Sequence, residues 1–304
     1  MKRLSTLSTI FSIASLGIFF GTLSLPVHAH ARWLVPSHTI LSGEAAEYAT
    51  FDISISNDIF NPDHAPGGYL FQKLENPDFE GPPLPPPIKK VMASSQLAVL
   101  QPDGKQIEHF PLVNFVRKTV GAAELRNDGT YKVAFKQSPV FLTWYENTDG
   151  SPGRLFGKPE QVNAMLPEGA KNIRGTQLLN YLQTWITKNG TSREALKVQG
   201  KGLEVRFETH PNELFVGEEF KFSLVFNGEA PEKKINMHFI RNDSRYRNER
   251  EAQHVTTDAQ GRASITWDKP GLYLLESEYE VKSTEKGLET DTHALYFVFE
   301  VFPE

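Results

Sequence analysis

The chain has 304 residues, 39% hydrophobic and 11% aromatic, with 32 basic against 37 acidic side chains and no cysteine. Without cysteine, disulfides, thiolate zinc sites, iron–sulfur clusters and cysteine nucleophiles are excluded, so any metal must be held by nitrogen or oxygen. The 21 Phe and 20 Pro against 4 Met favour an all-β or mixed fold over a helical bundle, and the length suffices for two cores of ~100–150 residues each.

Residues 1–29 read as a signal peptide. Lys2 and Arg3 give a positive start, Ile10 to Phe20 is an apolar run interrupted only by Ser and Gly, and Val27-His28-Ala29 fits the small-residue pattern of a processing site. The run is shorter than the ~20 residues that cross a bilayer, and no later segment approaches that length. The expectation is an exported, periplasmic mature chain without a membrane span. Loss of Lys2 and Arg3 moves the net charge from −5 to −7, which argues against nucleic acid and suits attraction of cations.

From Arg32 onward, short β-rich runs alternate with Gly, Pro, Asn and Asp, the grammar of sandwich domains. Phe51, Ile53 and Ile55 alternate with polar residues. Leu97 to Leu100 ends in the turn Gln101-Pro102-Asp103-Gly104, and Asn127-Asp128-Gly129 leads into Tyr131, Val133 and Phe135. After residue 200 the pattern recurs: Phe220, Phe222, Leu224 and Phe226, then Ile235, Met237 and Phe239, then Ala263, Ile265 and Trp267. The last run carries Leu295, Phe297, Phe299 and Val301 on one face. Between the halves, Leu178, Leu179, Leu182, Trp185 and Ile186 form a helical stripe opened by Thr176 and closed by Asn189-Gly190. Thr191-Ser192-Arg193-Glu194 has capping-box spacing. These patterns predict an all-β protein of two immunoglobulin-like β-sandwich domains, over 30–170 and 201–304, joined by a short helical connector over 171–200. The Gly81 to Pro87 run predicts an extended polyproline segment at the surface.

No nucleophile elbow, His-Glu-His helix or phosphate-binding glycine loop occurs, so an enzyme is not the expected class. The Arg241 to Glu251 stretch mixes both signs of charge, as a solvated hairpin loop does. The histidines are more informative, because imidazoles are the best transition-metal ligands left. Cleavage after Ala29 exposes His30, whose α-amine and imidazole Nδ1 together chelate Cu(II) or Ni(II). Cleavage two residues earlier leaves His28-Ala29-His30, a square-planar chelator for the same ions, whereas cleavage after Ala31 removes both histidines. His64, in the loop after the Phe51 strand, supplies a further nitrogen, with Asp63 and Asp58 as nearby oxygen donors or partners that fix its tautomer. His38 is a further candidate. His109, His210, His238, His254 and His293 stand alone in the sequence, and His238 and His293 fall on strand patterns.

The run His30-Ala31-Arg32-Trp33-Leu34-Val35-Pro36-Ser37-His38-Thr39-Ile40-Leu41-Ser42-Gly43, with Ser56-Asn57-Asp58-Ile59-Phe60 and Asp63-His64, resembles an uncharacterised bacterial family of exported proteins. Its members are described as periplasmic components of nickel or cobalt transport systems, or as nickel uptake substrate-specific regions. Gly200 to Glu204, His210 to Leu214, Gly217-Glu218, Thr257-Asp258 and Gly261-Arg262 also look like that family, so the resemblance spans most of the mature chain. It implies a two-domain β protein of the periplasm with cation handling near the outer membrane as its role; nickel, cobalt or, by its affinity for nitrogen donors, copper is the expected ion, and an outer- or inner-membrane transporter the expected partner. It carries over His30 and His64 as matching positions, without a ligand set. The chain departs from the pattern at His38 and in the proline-rich insertion after His64. An envelope interaction or glycan-binding module without a metal role is the alternative expectation. A copper oxidase built on the same first histidine is a third.

Overall fold

Residues 171–188 form a single strand of 18 residues, β11 (Lys171–Lys188), and not the helix that their leucine stripe predicts. The reason is burial on both sides. Leu182 and Ile186 enter one core while Trp185 enters another, so the period of two that normally betrays a strand is filled in and an apparent period of 3.6 remains. Tyr181, Thr184, Trp185, Ile186 and Thr187 are also residue types that favour the pleated conformation. In the expected connector, helical geometry is confined to a 3-10 turn over Glu194–Leu196, at the point where the capping-box spacing falls.

The computed structural model describes residues 31–66, 94–110, 112–247 and 250–304. The expected signal peptide, His28, His30 and the polyproline run lie outside these residues. The described chain is all-β apart from one four-residue α-helix, α1 (Pro159–Val162), and three 3-10 turns.

β11 is the hub of an 11-stranded sheet. On one edge its first half pairs with β9 (Val140–Glu146) and its last turn of residues with β8 (Gly129–Lys136). On the other edge it runs parallel to β18 (Thr290–Val301), then meets the two-residue β2 (Ile40–Leu41). The sheet continues from β8 to β4 (Gln96–Leu100) and β5 (Gln106–Phe110). From β18 it continues to β17 (Gly271–Lys282), β14 (Asn236–Arg241) and β15 (Gln253–Thr256), and β10 (Pro152–Phe156) adds to β9. A four-stranded sheet of β1 (Ala31–Pro36), β3 (Glu47–Ser56), β7 (Thr119–Leu125) and β6 (Leu112–Asn114) supplies the first core. A three-stranded sheet of β12 (Leu203–Phe207), β13 (Glu219–Phe226) and β16 (Arg262–Thr266) supplies the second.

The two cores lie on opposite faces of the shared sheet. In β18, Ala294, Tyr296 and Val298 belong to the first core and Leu295, Phe297, Phe299 and Val301 to the second. Leu274 of β17 and Ile240 of β14 join the first, while Leu275 and Phe239 join the second. Trp185 locks the second core from β11: its indole meets Phe207 and Phe297 edge-on, each at 4.8 Å, and its Nε1 donates to the Ala195 carbonyl at 3.2 Å.

A buried polar seam runs beside β11. Thr130 Oγ1 lies 3.0 Å from both Thr187 Oγ1 and His210 Nε2, Thr187 Oγ1 donates to Asn212 Oδ1, and the Asn212 backbone N–H donates to His210 Nδ1. Lys188 is 1% exposed and places its ammonium 2.9 Å from Asp128.

Because β11 and β18 serve both cores, the described chain should unfold as one cooperative unit. Trp185→Ala and Ile186→Ala, one per core, should each cost ~2–5 kcal/mol and shift the same single transition in urea, followed by tryptophan fluorescence and far-ultraviolet circular dichroism. Separate transitions, each sensitive to one variant, would show two autonomous sandwiches.

Candidate functional site

The site is built at the end of β3, which has different partners on its two edges. On one edge β1 pairs antiparallel from Pro36 opposite Phe51 to Ala31 opposite Ser56. On the other, β7 departs after Thr119 opposite Ile53, and the chain returning from the loop takes its place. Ile55 N–H donates to the His64 carbonyl at 3.0 Å and His64 N–H to the Ile55 carbonyl at 3.2 Å. Arg32, Ile55 and His64 therefore form one cross-strand row, with side chains on a common face.

The loop from Asn57 to Asp63 is held at both ends. The Ser56 hydroxyl donates to Asp63 Oδ2 at 2.8 Å and accepts the Asp58 N–H at 3.0 Å. Phe60, at φ +61°, turns its ring edge-on to Trp33 at 5.7 Å. The segment after β14 grips the loop from the other half: Ser244 donates to Asp58 Oδ1 and to the Ile59 carbonyl, and Arg250 Nε donates to the Asn57 carbonyl at 3.0 Å.

The expected metal residues are distributed unequally. His64 is half-buried in the row, and Asp63 is exposed, with its carboxylate committed to Ser56. His38 does not belong to this site. It lies two residues beyond Pro36, exposed, with Nδ1 3.2 Å from Ser37 Oγ. The extended β1 carries it toward the opposite end of β3, where four residues separate Phe51 from Ile55, or ~14 Å. His30 lies outside the described residues, directly before Ala31. Among the described residues, no three His, Asp or Glu side chains are grouped to hold a metal ion.

A second row on the shared sheet was not legible in the sequence. His254 of β15, His238 of β14, Glu276 of β17 and Tyr296 of β18 stand opposite one another in succession. The two imidazoles meet edge-to-face with centroids 4.6 Å apart. Glu276 is 17% exposed and lies 3.5 Å from Arg250. Burial pushes its carboxyl up to about 7, Arg250 draws it only partly back, and Glu278 adds to the rise. Burial likewise raises the Tyr296 phenol to about 12, and Arg32 hydrogen-bonds it. Arg32 thus links the row containing His64 to the row containing the histidine pair, while Arg250 links the Asn57 loop to Glu276. The neighbourhood combines imidazole nitrogens with a carboxyl that titrates near neutrality, groups that exchange protons and bind cations.

The other described histidines with placed side chains are structural. His210 is sealed in the polar seam beside β11. His293 Nδ1 lies 2.8 Å from Tyr181 Oη, its ring stacked on Tyr181 and met edge-on by Phe226. Burial lowers the proton affinity of both rings.

Glu276 sets a pH dependence of stability. Its raised value means that the folded state holds the proton more tightly than the unfolded chain, so its favourable share is present below about pH 4.5 and is lost as pH rises toward 7. The loss is ~3 kcal/mol. In urea unfolding at pH 5 and pH 8, Glu276→Gln should flatten this fall in stability. An unchanged pH profile would place the titration elsewhere.

No curated protein matches the chain. In structure it is similar to trypsin-activated alpha-2-macroglobulin from Escherichia coli, at 9% identity over 90% of this chain and 16% of that one, with a TM-score of 0.21. It is also similar to a DUF4785 family protein from Legionella pneumophila, at 10% identity over 80% of this chain and 50% of that one, with a TM-score of 0.22. A third similarity is to the adhesin InvE of Yersinia pseudotuberculosis, at 9% identity over 88% and 60% of the two chains, with a TM-score of 0.20. The chain spans less than two thirds of each, and likeness this slight transfers no activity. At the level of sequence, residues 27–281 match the domain of unknown function DUF4198, which takes in most of the chain, and the protein belongs to that family.

Proposed function

We propose that the protein is a periplasmic transition-metal-binding accessory protein of a nickel, cobalt or copper uptake system. In this reading the chain is exported and processed to begin at His30. The amine and imidazole of that residue and the imidazole of His64 hold the ion, and Asp63 or water completes the shell.

The observation that carries the reading is the pairing at the end of β3. Ala31, the residue after His30, stands opposite Ser56 on one edge, and His64 stands opposite Ile55 on the other. Two strand spacings separate these edges, or ~10 Å, a span that two imidazoles reaching inward close around one ion. The grip of Ser244 and Arg250 on residues 57–59 fixes the loop that delivers His64, so little ordering remains to be done on binding. The resemblance to exported nickel and cobalt components supports the same class of cargo. It also supports a transporter as the partner. Copper fits the same nitrogen donors and is favoured over nickel and cobalt in binding strength.

Calorimetric titration of the form beginning at His30 with Cu(II) and Ni(II) tests this. His64→Ala, and separately one extra residue placed before His30, should each weaken binding at least about tenfold. Affinity should also fall as pH drops from 7.5 to 5.5, because protons compete for the same lone pairs. Equal affinity in all three proteins would remove the chelate.

A further inference from the structure

We infer that the β9–β10–β11 corner is a binding site for a neutral saccharide, separate from the end of β3. A cleft of about 550 Å³ opens there, lined by Trp144, Tyr145, Glu146, Asn172, Arg174 and Glu289 among others. That volume falls within the ~300–1,000 Å³ usual for small-ligand sites.

The strand register explains how the lining is assembled. Trp144 of β9 stands opposite Arg154 of β10 on one side and Arg174 of β11 on the other, so the indole is the centre of a three-strand row. Arg154 packs against the indole at 5.9 Å from its centroid, which leaves Arg174 for the cleft. β11 bulges between Lys171 and Arg174. At that irregularity Asn172 takes φ +51° and its amide donates to Glu146 at 2.8 Å. On the opposite face Gly153 makes room for the Tyr145 ring: a Cβ there would lie 2.3 Å from Tyr145 Cζ. Glu289 reaches the same cleft from the residue before β18, tied to β11 through its N–H and the Gly175 carbonyl at 2.8 Å.

The chemistry of the lining selects the ligand. Trp144 supplies a flat apolar surface, and around it stand a guanidinium, two carboxylates and an amide; Tyr145, the next residue of β9, turns its ring to the opposite face over Gly153. Planar groups of this kind pair two at a time with neighbouring hydroxyls, while the C–H face of a sugar ring lies on an aromatic ring. Both signs of charge occur, so a strongly charged ligand meets repulsion wherever it binds. Arg174 and Glu289 line one cleft, yet neither side chain has a hydrogen-bond or ion-pair partner among the described residues. Opposite charges left apart in this way suit a ligand that donates to one and accepts from the other. The backbone of β9 is paired on both edges, so an extended peptide cannot add a strand directly beside Trp144.

The test uses the full mature chain with hexaoses of β-1,4-linked glucose, β-1,4-linked N-acetylglucosamine and α-1,4-linked glucose, and with a neutral Ala-Pro-Tyr-Pro-Ala peptide. Binding is followed by tryptophan fluorescence and by calorimetry. At least one hexaose should bind at millimolar concentration or below. Trp144→Ala should weaken it at least about tenfold. Arg174→Ala and Glu289→Gln, both exposed, should also weaken it without loss of fold, whereas His64→Ala should have no effect. The inference is overturned if no hexaose binds, if the peptide binds in their place, or if binding survives Trp144→Ala, Arg174→Ala and Glu289→Gln undiminished.

Discussion

The side chains of β18 alternate between two hydrophobic cores, with Ala294, Tyr296 and Val298 on one face and Leu295, Phe297, Phe299 and Val301 on the other. Burial of both faces is the constraint on which the rest depends. A strand that is apolar on one side can border a single sandwich. A strand that is apolar on both sides must lie between two, and β11 and β17 follow the same rule beside it. The four-stranded and three-stranded sheets then have only one place each, over opposite faces of the shared sheet. Apolar burial at ~25 cal/mol per Å² favours each closure.

This arrangement determines where chemistry gathers. The first sheet must approach the shared sheet closely enough for Phe51 and Ile53 to pack, and at its margin the apolar contact gives way to polar groups. Arg32 reaches Tyr296, and Arg250 meets both Asn57 and Glu276. The end of β3, the loop that returns His64, and the His238–His254 pair therefore share one margin, supplied by segments nearly two hundred residues apart. At another corner of the same sheet, a cleft opens beside Trp144 where β11 bulges. Two surfaces of different chemistry are thus carried by one rigid element, as suits sites that require fixed geometry.

Legibility in the sequence followed burial. Phe51 and Ile53, Tyr131, Val133 and Phe135, and Phe220, Phe222 and Leu224 face a core while most of their neighbours are polar, so alternation of apolar and polar types revealed β3, β8 and β13. β11 hid as a helix because Leu182, Trp185 and Ile186 are all buried although they point to opposite faces. The Leu295 face of β18 was legible, but the Ala294 face was not, because alternation was read as one core rather than two. His64 was readable as a loop residue near the strand end. The separation of His38 required knowing that β1 runs extended for its full length. The pairing of His238 with His254 depends on the register set by the intervening loop, which no local pattern encodes. Trp144 and Arg174 meet through the antiparallel pairing of β9 with β11, and Glu289 joins them where β18 runs parallel to β11, a long-range contact without a turn signature.

The position of β18 in the chain has a consequence for the order of assembly. Residues 290–301 contribute to both cores, so neither can close over the earlier strands until β18 is available. The described strands that precede it hold apolar surface on two fronts until β18 slides between them, so long-range pairing rather than local structure sets when the fold closes. The shared sheet that makes the finished molecule a single body also postpones its completion until the last strand arrives.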